Sequence, residues 1–312
     1  MRKSLIALIF GILISVLALE ATVRIISPML GPPLVKWNPM EDAKILKFNE
    51  FRAEFPRPSY VLMGDSTVLT GFNPRVFDAT AALPLGSSLN AAMNGSEIRQ
   101  IRDFAVGYII KEIRPKNLII LFSNSPMAMN FDYEKLTSNI SMAEKHIYIY
   151  RYRNTFRDPM TINTFIRILK FRDMQQGLVY RWADNLDLFG YTKYEVTENA
   201  VTVTGWDPAQ RSSQESPKAL GFNKSGLKHL EEIRNLLRAQ GGSLIIGTVP
   251  TLSFDPNYRS SIEKMAKYLG VAFIQGNDAV GQGRYFQDGV HLNNQGAKKF
   301  SNFLAIELLK MG

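Results

Sequence analysis

Cysteine is absent from all 312 residues, which excludes disulfides, a thiolate nucleophile and any Cys-ligated metal. Histidine is scarce: only His146, His229 and His291 occur, so few side chains can act as a base near neutral pH. His229 lies within a helical pattern, and His146 flanks an aromatic run with no partner at metal-ligand spacing. No metal site is expected, and no cofactor. There is no internal repeat and no nucleic-acid-binding motif. A hydrophobic content of 46% with a mean hydropathy near zero (−0.09) excludes both a disordered chain and a multi-span one.

What is present begins at the N-terminus. Met1-Arg2-Lys3 is basic, and Leu5 to Leu19 is an uncharged apolar run closed by Glu20, with Arg24 following. Such a segment is either a cleaved signal peptide or an uncleaved anchor, and residues 1–27 are assigned to it. Cleavage favours small residues in an A-x-A pattern, which Val16-Leu17-Ala18 matches only fairly, so the anchor is the preferred reading. The run is short for a full span of about 20 residues, and Ala21-Thr-Val would extend it to the interface. Arg2 and Lys3 would hold its start in the cytoplasm. The expectation is a single-pass protein of the cytoplasmic membrane, its body in the periplasm or extracellular space. Net charge is +9, and +7 without residues 1–27. A basic surface suits anionic neighbours such as phospholipid head groups or acidic polysaccharides, or serves solubility alone. Nucleic acid is not an expected partner.

One of the three histidines closes the stretch Asp288-Gly-Val-His291, just before the Asn293-Asn294-Gln295-Gly296 opening of a final helical segment. More than two hundred residues earlier, the apolar run Ser59-Tyr-Val-Leu-Met63 ends abruptly in Gly64-Asp65-Ser66-Thr67. It reads as a buried strand feeding a tight turn, with Ser66 at the carboxyl end where open α/β sheets bind ligands. A Ser that meets an Asp-oriented imidazole can become an acyl-transfer nucleophile. The bland alternative is that Asp65 and Ser66 only cap the next segment. The motif is not the G-x-S-x-G elbow, because Val68 stands where the second Gly would be.

Two more segments fall into line. Leu89-Asn90-Ala-Ala-Met-Asn94-Gly95-Ser96 precedes a helical pattern over Glu97–Lys111, and the strand-like Asn117–Phe122 ends in Ser123-Asn124-Ser125-Pro126. These four blocks resemble those of the SGNH (GDSL-type) hydrolases over roughly residues 58–126 and 224–310. The resemblance implies Ser66 as nucleophile, Gly95 and Asn124 as oxyanion donors, and His291 with Asp288 as the base pair. The family's third block usually reads Gly-x-Asn-Asp, whereas here only the Asn of Phe122-Ser123-Asn124-Ser125 is kept. That departure, with the membrane-proximal start, is loosely similar to members that modify cell-envelope polymers, such as alginate O-acetylation and D-alanyl transfer proteins. Other envelope polysaccharide-modification proteins are then implied as partners.

Late in the chain, helical patterns at Lys224–Arg238, Arg259–Tyr268 and Gln295–Leu309 alternate with strand-like Ser243–Thr248 and Val271–Ile274. Strands separated by helices imply an α/β fold, a parallel sheet with helices on both sides. The resemblance implies a flavodoxin-like three-layer sandwich with about five strands. Residues 28–57 read as a linker with one short helix, and 58–312 as the hydrolase-like domain. Within it, 127–222 break the alternation and hold 15 of the 34 aromatic residues, too many for a disordered linker. They read as an ordered insertion over the catalytic edge. Tyr148, Tyr152 and Trp206 are candidates to stack on sugar rings, or else to pack the core.

The expected function is acyl transfer at ester groups, O-acetyl above all, of an envelope or extracellular polysaccharide. Water as acceptor makes an esterase, and a sugar hydroxyl makes an O-acyltransferase. The rivals are a non-catalytic polysaccharide-binding or assembly subunit on the same fold, and a lysophospholipase-type lipid esterase.

Overall fold

The computed structural model describes residues 2–29, 39–123, 179–192, 224–252, 256–281, 283–288 and 290–311. The chain divides into two units, and the sheet with its helices lies in the one that runs over Ala43–Phe131 and Trp182–Gly312. The N-terminal helix α1 (Arg2–Met29) belongs to the other. It carries the expected apolar run, and its side chains over residues 6–18 are exposed. Among the described residues no helix is long and apolar enough to cross a membrane.

The body is built on five strands: β1 (Tyr60–Met63), β2 (Ser88–Asn90), β3 (Asn117–Phe122), β4 (Ser243–Thr248) and β5 (Ala272–Ile274). All pair in parallel, in the order β2-β1-β3-β4-β5. This is the flavodoxin-like order, whose switch point lies between β1 and β3. The strands read as continuous apolar runs because both faces of the sheet are covered: Leu118, Ile119, Ile120 and Leu121 are all buried. β2, two polar residues around Leu89, has no such signal.

Between β1 and β2 the chain forms α3 (Ser66–Gly71) and α4 (Pro74–Thr80). α5 (Ile98–Phe104) runs into a π-helical stretch, Ala105–Ile113, before β3. α6 (Lys224–Ala239) precedes β4, α7 (Pro256–Leu269) precedes β5, and α8 (Asn294–Lys310) closes the chain. α8 packs on α3 and α4, whereas α5 packs on α6, as right-handed crossovers in this strand order require. Asn73 caps α4 through Val76 N–H and donates its own N–H to Ser301 Oγ at 2.8 Å, which ties α4 to α8.

Inside the stretch read as a linker, residues 39–54 form a helix, α2 (Pro39–Glu54). Its Phe48 and Phe51 are fully buried, and Phe51 meets Phe189 edge-on with ring centroids 5.8 Å apart. Its Lys44 is fully buried too, donating to the carbonyls of Asn90, at 2.6 Å, and Gly190. Most of the 127–222 insertion, with Tyr148, Tyr152, Trp206 and His146, lies outside the described residues.

Candidate active site

β1 delivers Ser66 to the carboxyl edge of the sheet through Gly64-Asp65. An added Cβ at Gly64 would collide with Val68 Cγ2 and lie 2.7 Å from Leu121 O, so the turn closes this tightly only with glycine. Asp65 caps α3, its Oδ1 accepting from Thr67 N–H at 2.9 Å and from Thr67 Oγ1 at 2.6 Å. Its Oδ2 accepts from Ser123 Oγ at the end of β3. The capping reading holds for Asp65, and it leaves the Ser66 hydroxyl free of that duty. Asp65 braces the turn, and Ser66, half-buried, heads the helix.

The other half of the site stands before α8. Gln287 N–H donates to His291 O at 2.9 Å, and Asn293 N–H to Tyr285 O at 2.9 Å. Asn293 caps α8 by accepting from Gly296 N–H at 3.0 Å, and its Nδ2 donates to Arg284 O at 2.8 Å. Asp288 Oδ1 accepts from Val290 N–H at 2.8 Å and His291 N–H at 2.6 Å. A carboxylate three residues before an imidazole can thus grip the backbone and the ring of the same short segment.

The sequence ends meet here. His291 Nε2 lies 2.8 Å from Ser66 Oγ, and His291 Nδ1 lies 2.7 Å from Asp288 Oδ2. With the hydrogen on Nδ1, donated to Asp288, Nε2 is free to accept the Ser66 proton. Burial alone would raise the Asp288 carboxyl. The His291 N–H, the imidazole and the Val290 N–H outweigh it and hold the carboxyl below the ordinary carboxylate range. Asp288 is therefore ionised at neutral pH. The His291 and Asp288 side chains are 25% and 50% exposed, so the charge pair is partly screened by water.

Of the five expected site residues, Ser66, His291 and Asp288 are brought into one hydrogen-bonded chain. Gly95 lies in the loop after β2 with φ of +61°, a left-handed conformation that favours glycine, and open space where a side chain would be. That loop is laced to the end of β1 by Ala91 N–H to Leu62 O (2.7 Å) and Met93 N–H to Gly64 O (3.1 Å). Asn124 lies outside the described residues, one position past Ser123. Among the described residues no cluster of His, Asp and Glu is arranged to hold a metal ion.

Two features had no reading in the sequence. Asn90, fully buried, directs Nδ2 at the carbonyls of Val68 (3.2 Å), Leu69 (3.1 Å) and Phe72 (2.8 Å), while its Oδ1 accepts from Ala92 N–H at 3.1 Å. One amide thus joins the Ser66 helix to the Gly95 loop; the only hint was a polar residue ending a strand. Tyr258, buried on α7, has a hydroxyl without a hydrogen-bond partner among the described residues, and burial, then the Asp65 charge, holds it protonated.

No protein-family model matches the chain, and no curated protein is similar to it by sequence. Among solved structures it is similar to a GDSL-like lipase from Bacteroides thetaiotaomicron, at 12% identity, with 88% of this chain and 100% of that one covered and a TM-score of 0.39. It is also similar to an acetyl xylan esterase, at 12% identity, with 81% and 98% covered and a TM-score of 0.39. In strand order and in its linked Ser66, His291 and Asp288, the chain is similar to the SGNH hydrolases.

Proposed function

We propose that the chain is an exported serine acyl-transfer enzyme acting on ester groups, O-acetyl groups above all, of an envelope or extracellular polysaccharide. The observation that carries this reading is the unbroken run of hydrogen bonds from Ser66 Oγ through His291 to Asp288. A non-catalytic binding subunit needs no such run.

In the first half-reaction His291 Nε2 takes the Ser66 proton as Oγ attacks the ester carbonyl. The tetrahedral oxyanion is received by the backbone N–H groups of Ser66 and Gly95 and by the Asn124 amide, each such donor lowering the barrier by about 3–4 kcal/mol. The C–O bond of the ester breaks, and the leaving alcohol takes the proton from the imidazole. Water or a sugar hydroxyl then attacks the acyl-serine by the same steps in reverse. The aromatic and Arg-rich insertion suits a hydroxyl-rich, anionic chain better than a lipid tail, which would call for a continuous aliphatic lining.

The full chain should release acetate from p-nitrophenyl acetate, and Ser66→Ala or His291→Ala should each lower turnover by roughly 10³-fold or more. Undiminished turnover in Ser66→Ala removes the nucleophile. Incubation with acetylated polymer, and with an acetyl donor plus deacetylated polymer, separates the two acceptors: acetate release marks the esterase and new sugar esters the transferase. Export is checked with a reporter fused after Gly312 that works only outside the cytoplasm, and a silent reporter rejects it.

A further inference from the structure

Phe55–Pro58 leads into β1 and Lys111–Arg114 leads towards β3, whose first residues, Tyr60 and Asn117, are paired in register. The strands are parallel and Ser66 follows the far end of β1, so these two approaches meet at the edge of the sheet opposite the candidate active site. Between them lies a recess of about 410 Å³.

Its lining is unbalanced in charge. Arg52, Arg57, Lys111 and Arg114 share it with a single carboxylate, Glu112, which pairs with Arg52 at 3.2 Å. Three positive charges are left over. Arg57 and Lys111 are exposed and form no ion pair with any described residue. Arg114 adopts φ of +54° at the end of the π-helical stretch, where glycine is the ordinary occupant. That conformation costs a non-glycine residue about 1–2 kcal/mol. Its Nε donates to Lys111 O at 2.9 Å, which ties together two of the residues that line the recess. Like charges gathered around a hollow repel one another, and an anion placed among them relieves that repulsion.

We propose that this recess binds a phosphate group. A phosphate monoester carries nearly two negative charges at neutral pH and offers three acceptor oxygens, a closer match to three unbalanced cations than one carboxylate. Guanidinium forks bind such oxygens in pairs. The buried Pro58 and Ile113 and half-buried Phe55 give the recess an apolar wall for the organic part of a phosphate ester. That ester is either a soluble monoester or a phospholipid head group, a diester that offers the same cations one negative charge and two free oxygens. The site is independent of Ser66, and its failure would leave the proposed reaction standing.

The test titrates the full chain, in a neutral detergent, with glycerol 3-phosphate and with inorganic phosphate by calorimetry. It also measures co-sedimentation with vesicles of phosphatidylcholine alone and of equimolar phosphatidylcholine and phosphatidylglycerol. The Arg57→Gln/Lys111→Gln double variant changes only exposed side chains. It should weaken phosphate binding roughly tenfold or more while unfolding temperature and ester turnover stay unchanged. Binding of the soluble phosphates without preference for the anionic vesicles supports a soluble ester. Preference for the anionic vesicles that vanishes in the double variant supports the lipid. Absence of phosphate binding together with equal vesicle binding by wild type and variant overturns the site. Equal affinity for a uronate oligosaccharide overturns the phosphate assignment in favour of an acidic polymer.

Discussion

In the proposed reaction Ser66 depends on His291 reaching it, and His291 is aimed by Asp288, which holds both its ring and its backbone N–H. The Asp288→Asn protein keeps the shape but lets the imidazole adopt the wrong tautomer. Ester turnover should fall on the order of 10³-fold or more, whereas a loss under tenfold would mean that Asp288 does not orient the ring. The same substitution has a pH signature. The folded-state carboxyl lies below the ordinary range, so its stabilisation is present above the unfolded value and disappears as pH falls through the folded one. The urea midpoint of wild type should exceed that of Asp288→Asn at pH 7, and the gap should close in strong acid. Half exposure of the carboxylate keeps that gap small. A gap that widens on acidification rejects the assignment.

Between elements, the working connections are made by polar side chains inside the body. Asn90 couples β2 to α3 by serving two carbonyls of that short helix and that of its C-cap, Phe72, and it opens the loop that ends at Gly95. Replacing it with Ala strands those buried groups, and the Asn90→Ala protein should lose about 2–3 kcal/mol in urea unfolding. Turnover should fall as well, because Ser66 and the Gly95 loop lose their shared brace. A stability change below about 0.5 kcal/mol would place Asn90 among indifferent positions. In the sequence, β1, β3 and β4 were legible because each is an apolar run cut off by turn residues. β2 was not, since Ser88-Leu89-Asn90 is too short and too polar to show a period. Residues 28–57 read as a linker with one short helix, and the Lys, Glu and Asp around Phe48 and Phe51 hid that α2 buries both rings.

For the molecule as a whole, Lys44 sets how stability responds to alkali. Burial pushes its ammonium well below the ordinary value, and nearby Asp187, itself raised by burial, only partly restores it. Between the folded value and about 10.4 the unfolded chain binds the extra proton, so stability rises with pH by up to about 1.4 kcal/mol per pH unit. The near-isosteric Lys44→Met protein lacks that rise. Denaturation midpoints from neutral pH to pH 10 should climb in wild type relative to the variant, and parallel curves would show that Lys44 keeps its proton when folded.

The sequence by itself determined the alternation of strands and helices, the placing of Ser66 at a strand end, and the pairing of Asp288 with His291 three residues on. Each of these is local: an apolar period, a glycine turn, a carboxylate within reach of its own backbone. Tertiary structure alone decided the strand order, which sets β1 against β3. It also decided the 2.8 Å meeting of Ser66 with His291 across 225 residues, the burial of Lys44, and the basic recess at the opposite edge. Those depend on which faces pack together, and packing between segments distant in sequence leaves no period along the chain.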